Sequence, residues 1–128
     1  MIPLRSAHVA DCDVMAAIHA QSFPSPWSPI DFATLMSQAG IAGWIAGEPA
    51  VGLLLVRAAA DEAEVLTLAT SPDARRGGVA TALLTQALAM LRRGPTRRLF
   101  LEVAEDNVAA RALYGRLGFV DGGRRKAY

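Results

Sequence analysis

The chain has 128 residues, 52% of them hydrophobic, with a formal net charge of +1 and one cysteine, Cys12. That is the length of a single domain able to bury a core, and the near-neutral charge argues against nucleic acid as a direct partner. One cysteine excludes an internal disulfide and a multi-cysteine metal site, no apolar run approaches the ~18 residues of a membrane span, and the N-terminus lacks a signal-peptide layout. The expectation is one cytoplasmic domain over residues 1–128, with no metal and no membrane partner.

In chain order, Ile2 to Ser6 reads as a short strand. Asp11 or Asp13 can cap a first helix running to about Phe23, with Val14, Ala17, Ile18 and Ala20 or Gln21 turned inward. His8 and His19 are expected on the surface or on a helix face. Phe23-Pro24-Ser25-Pro26-Trp27-Ser28 is a loop. Ser28, Pro29 and Asp31 then supply an N-cap, a proline at the first helical position and an acid at the third, so a second helix starts there. It reaches about Gln38 and buries Phe32, Leu35 and Met36. Ile41 to Ala46 and Ala50 to Ala58 are strands joined in a hairpin at Gly47-Glu48-Pro49. Glu64 to Thr70 is the next strand and Gly77 to Arg92 the third helix, ended by Gly94-Pro95. Arg98 to Ala104 is a strand parallel to the last, because a helix crosses over between them. Asn107 caps a fourth helix, Val108 to Leu117, and Phe119 to about Tyr128 is a final strand. Leu83, Leu88, Leu113 and Leu117 belong to the core. The class is α/β, a mixed central sheet with about four helices.

The run from Val65 to Leu84 joins a strand, a basic glycine turn and a helix, and so aims bare backbone N–H groups at an anion. Gly77 and Gly78 lack a Cβ, so a ligand can lie close to the backbone, and Arg75 and Arg76 add positive charge. A nucleotide-triphosphate loop would end Gly-Lys-Ser/Thr, and a dinucleotide fingerprint would read Gly-x-Gly-x-x-Gly; neither is present. Arg75-x-x-Gly78-x-Ala80, following Pro72, resembles the pyrophosphate turn of the GCN5-related N-acetyltransferases, the GNAT superfamily. Leu99-Phe100-Leu101-Glu102-Val103, followed by Asn107-x-x-Ala110-x-x-Leu113-Tyr114-x-x-Leu117-Gly118-Phe119, resembles that superfamily's strand and helix over the coenzyme. Within it, Leu101-Glu102-Val103 and the loop Pro26-Trp27-Ser28 are most similar to the bacterial ribosomal-protein alanine N-acetyltransferases (RimI-like).

Acetyl transfer from a thioester needs a neutral amine, a polarised carbonyl and a protonated leaving thiolate. Glu102 is the one acid flanked by apolar residues in an expected central strand, where burial would raise its pKa and fit it to accept a proton. Tyr114 keeps its proton at neutral pH and can donate it. The resemblance assigns Glu102 as proton acceptor and Tyr114 as proton donor, with direct attack in a ternary complex. It implies acetyl-CoA as cosubstrate. Leu68, Ala69 and Thr70 would meet its acetyl and pantetheine end. Arg75, Arg76, Gly77, Gly78, Val79, Ala80 and Thr81 would hold its pyrophosphate, and Asn107 its pantetheine arm or the helix cap alone.

Trp27 is a wall of the acceptor pocket or an anchor of its loop, with Glu64 and Phe23 as further acceptor contacts. The implied acceptor is a protein or peptide N-terminus, the alanine of a small-subunit ribosomal protein. The rivals are an acetyltransferase for a small amine and an inactive CoA-binding module. The family carries a further strand after its Arg-Arg-x-Tyr segment, and this chain stops at Tyr128. The domain is therefore expected to lack its last strand and to leave an edge beside Glu102 unpaired, as a monomer or weak dimer.

Overall fold

A computed structural model describes residues 2–75, 77–104 and 106–120. They form β1 (Leu4–Ser6), α1 (Cys12–Ala20), α2 (Pro29–Met36), β2 (Ile41–Ala46), β3 (Gly52–Ala59), β4 (Glu62–Thr70), α3 (Val79–Arg92), β5 (Arg98–Phe100) and α4 (Val108–Arg116). The strands lie in the spatial order β1-β2-β3-β4-β5. All neighbours are antiparallel except β4 and β5, which the α3 crossover makes parallel. The mixed sheet and four helices match the expected class. Of the expected last strand, Phe119 and Val120 are outside any strand, and residues 121–128 lie outside the described residues.

The sheet separates two apolar layers. On one face, Met15, Ile18 and Phe32 from α1 and α2 pack on Ile45, Leu53, Leu55 and Ala69. On the other, Val79, Leu83, Leu84 and Ala87 of α3 pack on Trp44, Leu54 and Val56, with Tyr114 of α4 and Leu117 just after it alongside. β2 and β3 are buried on both faces, which explains their near-continuous apolar runs. Gly52 sets how closely α3 can approach, since a Cβ there would stand 2.6 Å from Val79 Cγ1. The start of α3 is thereby pressed against the sheet.

The capping box expected at α2 is present: Asp31 N–H donates to Ser28 Oγ at 3.1 Å, and Ser28 N–H donates to Asp31 Oδ2 at 2.9 Å. It fixes the chain direction immediately after Trp27.

Two expectations need correction. α1 is shorter than predicted and rotated: Met15, Ala16, Ile18 and His19 are buried, while Val14, Ala17 and Ala20 are exposed. His19 is therefore a core residue, only 3% exposed. The second correction concerns the strand of Glu102. β5 stops at Phe100, because β4 pairs with it only over Glu62–Glu64. Past that point no described strand flanks residues 101–104, and a strand without a ladder partner does not persist.

Candidate active site

The site is built where β4 meets α3. Pro72 breaks the strand, a short 3-10 turn follows (Pro72–Ala74), and Gly78 takes a left-handed conformation with φ +82° as the N-cap of α3. Only glycine adopts that conformation without strain. Nothing lies within 4 Å of where a Gly78 Cβ would be, so the space before the helix is open. The first intrahelical bond is Ala82 N–H to Gly78 O, at 2.9 Å. The N–H groups of Val79, Ala80 and Thr81 precede it, have no intrahelical acceptor, and point toward that space with the positive end of the helix dipole. The Val79 side chain is buried, so it is the backbone there that faces outward. Arg75 folds back onto the scaffold: its Nε donates to the Thr70 carbonyl at 3.3 Å and its NH2 to Ser22 Oγ at 3.4 Å. Arg76 lies outside the described residues.

The second wall is the free edge of β4. From Val65 to Thr70 the strand continues with no described partner on its β5 side. A β-bulge explains the divergence: Leu55 faces Thr67 and Val56 faces Val65, leaving Leu66 without an opposite residue. The bulge turns Leu66 and Ala69 to the same apolar layer and opens the edge beside Leu68, Ala69 and Thr70. An extended ligand arm can therefore pair with backbone along this edge and reach the α3 N-terminus with its anionic end. Those features fit a pantetheine-pyrophosphate chain.

α4 brings Tyr114 over this side of the sheet, half-buried and edge-on to Phe119 with ring centroids 5.9 Å apart. Burial pushes its phenol above the ordinary 10.0, so it stays protonated at neutral pH. Asn107 caps the helix, its Oδ1 accepting from Ala110 N–H at 3.1 Å. Glu102 was expected to be buried in a central strand; it is instead exposed, beyond the end of β5. Desolvation is thus not what would fit it to a proton-accepting role.

On the α1–α2 face lies a cleft of about 510 Å³, lined by Trp27, Asp31, Leu35, Gln38, Arg57 and Leu66 among others. Trp27 both lines this cleft and stacks on His19, with ring centroids 4.7 Å apart. Glu64 pairs with Arg57 at 3.5 Å, and Arg57 also reaches Gln38 at 2.8 Å, which fixes the far wall. Phe23 stands 4.3 Å from the His19 ring, part of the same aromatic cluster. A smaller depression, about 360 Å³, around Met90 and Pro95 lies at the other end of α3 from the glycine turn.

His19 is the residue that sequence reasoning missed. The backbone N–H of Trp27 donates to its Nδ1 at 3.0 Å, so its proton sits on Nε2, which donates to Thr67 Oγ1 at 3.1 Å. The available signal was the stripe Cys12, Met15, Ala16, His19 at helical spacing. Burial lowers its pKa below the ordinary 6.5. Because the unfolded chain then binds a proton more readily than the native one, this group's contribution is full above about pH 6.5. It is lost as pH falls through the depressed native value. Denaturant midpoints of the wild type are expected to fall between pH 7.5 and 5.5 by more than those of His19→Phe. Equal falls in the two proteins would contradict this.

Among the described residues, no group of three or more His, Cys, Asp or Glu side chains could hold a metal ion, and no helix is long and apolar enough to cross a membrane.

The chain belongs to the acetyltransferase (GNAT) family, whose model matches residues 12–119. It is an N-acetyltransferase that uses acetyl-CoA. The [ribosomal protein bS18]-alanine N-acetyltransferase of Escherichia coli K12 is 30% identical over 119 residues, covering 91% of this chain and 80% of the relative. A crystal structure of the ribosomal-protein-S18-alanine N-acetyltransferase from Escherichia coli superposes with a TM-score of 0.88 at 27% identity, over 96% of this chain and 80% of that one. The fold alone is shared with AAC(6')-Iy, solved with a CoA bisubstrate analogue: TM-score 0.85, 15% identity, 100% and 97% coverage.

Proposed function

We propose that the protein acetylates the α-amino group of a protein N-terminus, with the N-terminal alanine of a small-subunit ribosomal protein as acceptor, in the cytoplasm. The observation that carries this reading is the similarity to the bS18-alanine N-acetyltransferase, at 30% identity over 91% of the chain. The cleft chemistry agrees with it. Asp31 is engaged in the α2 capping box, and the other charged lining side chain is Arg57, so the cleft offers little to a polycation. An aminoglycoside or polyamine would call for a cluster of unengaged carboxylates.

The coenzyme supplies an acetyl thioester along β4. The backbone of Leu68, Ala69 and Thr70 binds its arm, Asn107 borders that arm while capping α4, and Gly77, Gly78, Val79, Ala80 and Thr81 hold the pyrophosphate. Arg75 braces the turn against Thr70 and Ser22, and Arg76 adds charge. Trp27 and Glu64 frame the acceptor. The amine loses its proton to Glu102, by way of water because this carboxylate is exposed. That demand is small: an α-amino group has a pKa near ~8, against ~10 for lysine. The neutral amine attacks the thioester carbon to give a tetrahedral adduct; as its C–S bond breaks, Tyr114 gives its proton to the departing thiolate, and the surplus proton on nitrogen is lost through water, which returns a proton to Tyr114. Cys12 takes no part, so no acyl-enzyme forms.

Thiol release from acetyl-CoA, measured with peptides of different N-terminal residues, polyamines and amino acids, tests this. Turnover is expected on an Ala-starting peptide and not on the same peptide with a blocked N-terminus. Turnover restricted to a small amine would overturn the substrate reading.

A further inference from the structure

We infer that His19 is a positioning residue for the acceptor cleft, clamping the Trp27 loop onto the bulged segment of β4; the inference rests on the N-acetyltransferase reading above. Three elements meet at this ring. His19 itself comes from the inner stripe of α1. Its Nδ1 takes the backbone N–H of Trp27, at 3.0 Å, from the loop that precedes α2. Its Nε2 gives a proton to Thr67 Oγ1, at 3.1 Å, on β4. Thr67 is itself buried, and it neighbours both Leu66, which lines the cleft, and Leu68, on the coenzyme edge.

The bonds are reinforced by rings. Trp27 stacks on the imidazole at 4.7 Å, Phe23 lies against it at 4.3 Å, and Phe32 meets it edge-on at 5.4 Å. No charged group appears among these contacts. A neutral imidazole is the side chain suited to this place. It accepts on one nitrogen and donates on the other, while its faces stay apolar. Phenylalanine could keep the stacking but would bury the Trp27 N–H and the Thr67 hydroxyl without partners. Asparagine can present an acceptor near the Nδ1 position, and glutamine can reach toward the Nε2 position. The two amides therefore separate the Trp27 bond from the Thr67 bond. The Trp27 bond is the one that holds the wall of the cleft, so it should dominate acceptor binding.

The test is steady-state kinetics of His19→Phe, His19→Asn and His19→Gln with an Ala-starting peptide, with acetyl-CoA affinity measured separately by calorimetry. His19→Phe is expected to raise the acceptor KM about tenfold, leaving acetyl-CoA affinity within about twofold. His19→Asn should recover most of that loss and His19→Gln little of it. The inference is overturned if the acceptor KM of His19→Phe stays within twofold of wild type, if acetyl-CoA affinity falls in step with it, or if His19→Gln outperforms His19→Asn. Should the wild type acetylate no peptide at all, the substrate reading fails, and the clamp is still decided by Trp27 emission. In a Trp44→Phe background Trp27 is the sole tryptophan of the two in the chain. A red shift in His19→Phe that is absent in His19→Asn supports the clamp, and identical spectra overturn it.

Discussion

Replacing Tyr114 with phenylalanine is expected to lower kcat about a hundredfold or more, the usual size of a lost general acid. Acetyl-CoA affinity should stay near wild type. The ring is half-buried against the α3 layer and meets Phe119 at 5.9 Å, contacts that phenylalanine retains. Stability should therefore change by less than about 1 kcal/mol. Burial raises the phenol above its ordinary 10.0, so the group proposed as proton donor keeps its proton near neutral pH. Rapid-quench measurement of the chemical step checks this, and a kcat within twofold of wild type would remove Tyr114 from the reaction. Glu102→Gln should do less. An exposed carboxylate passing a proton through water has a competent competitor in solvent. A loss of about tenfold near pH 7 is expected, fading as pH approaches the amine pKa of ~8.

The second large effect belongs to the glycine turn. Gly78→Val should weaken acetyl-CoA binding about a hundredfold while costing about 1–2 kcal/mol of stability. The stability cost comes from placing a β-branched residue at φ +82°. The binding cost comes from the side chain itself, which would project into the open space before α3 that the pyrophosphate is proposed to fill. Asn107→Ala offers a contrast, because loss of its bond to Ala110 should destabilise α4 by about 1 kcal/mol. Calorimetric titration with acetyl-CoA separates the two. Unchanged affinity in folded Gly78→Val would place the pyrophosphate elsewhere.

Much of the fold was legible because local signals agreed with packing. Ser28, Pro29 and Asp31 announced α2, and the capping box is formed. Pro72 and Gly78 announced the break between β4 and α3, and the parallel pairing of β4 with β5 followed from the crossover. What escaped the sequence depends on contacts made far along the chain. The rotation of α1 is one case. Val14 looks like a core residue until His19 is known to satisfy both nitrogens, through Trp27 and through Thr67, residues contributed by a loop and a distant strand. Without those partners a buried histidine would be costly, and an outward reading was reasonable. The reach of β5 is another. Leu99 to Val103 has strand composition, but composition does not reveal that the bulge at Leu66 carries β4 away after Glu64. Glu102 left the expected strand for that reason. The same bulge lies in the stretch of β4 proposed to meet the coenzyme, so one irregularity both misled the burial expectation and shaped the candidate site.

The most direct measurement is to locate the acetyl group by tandem mass spectrometry on an Ala-starting peptide that also carries an internal lysine, after incubation with acetyl-CoA. Modification of the α-amine alone is expected, abolished or strongly slowed in Tyr114→Phe. Acetyl on the lysine, equal labelling of both amines, or transfer that survives unchanged in Tyr114→Phe would contradict it.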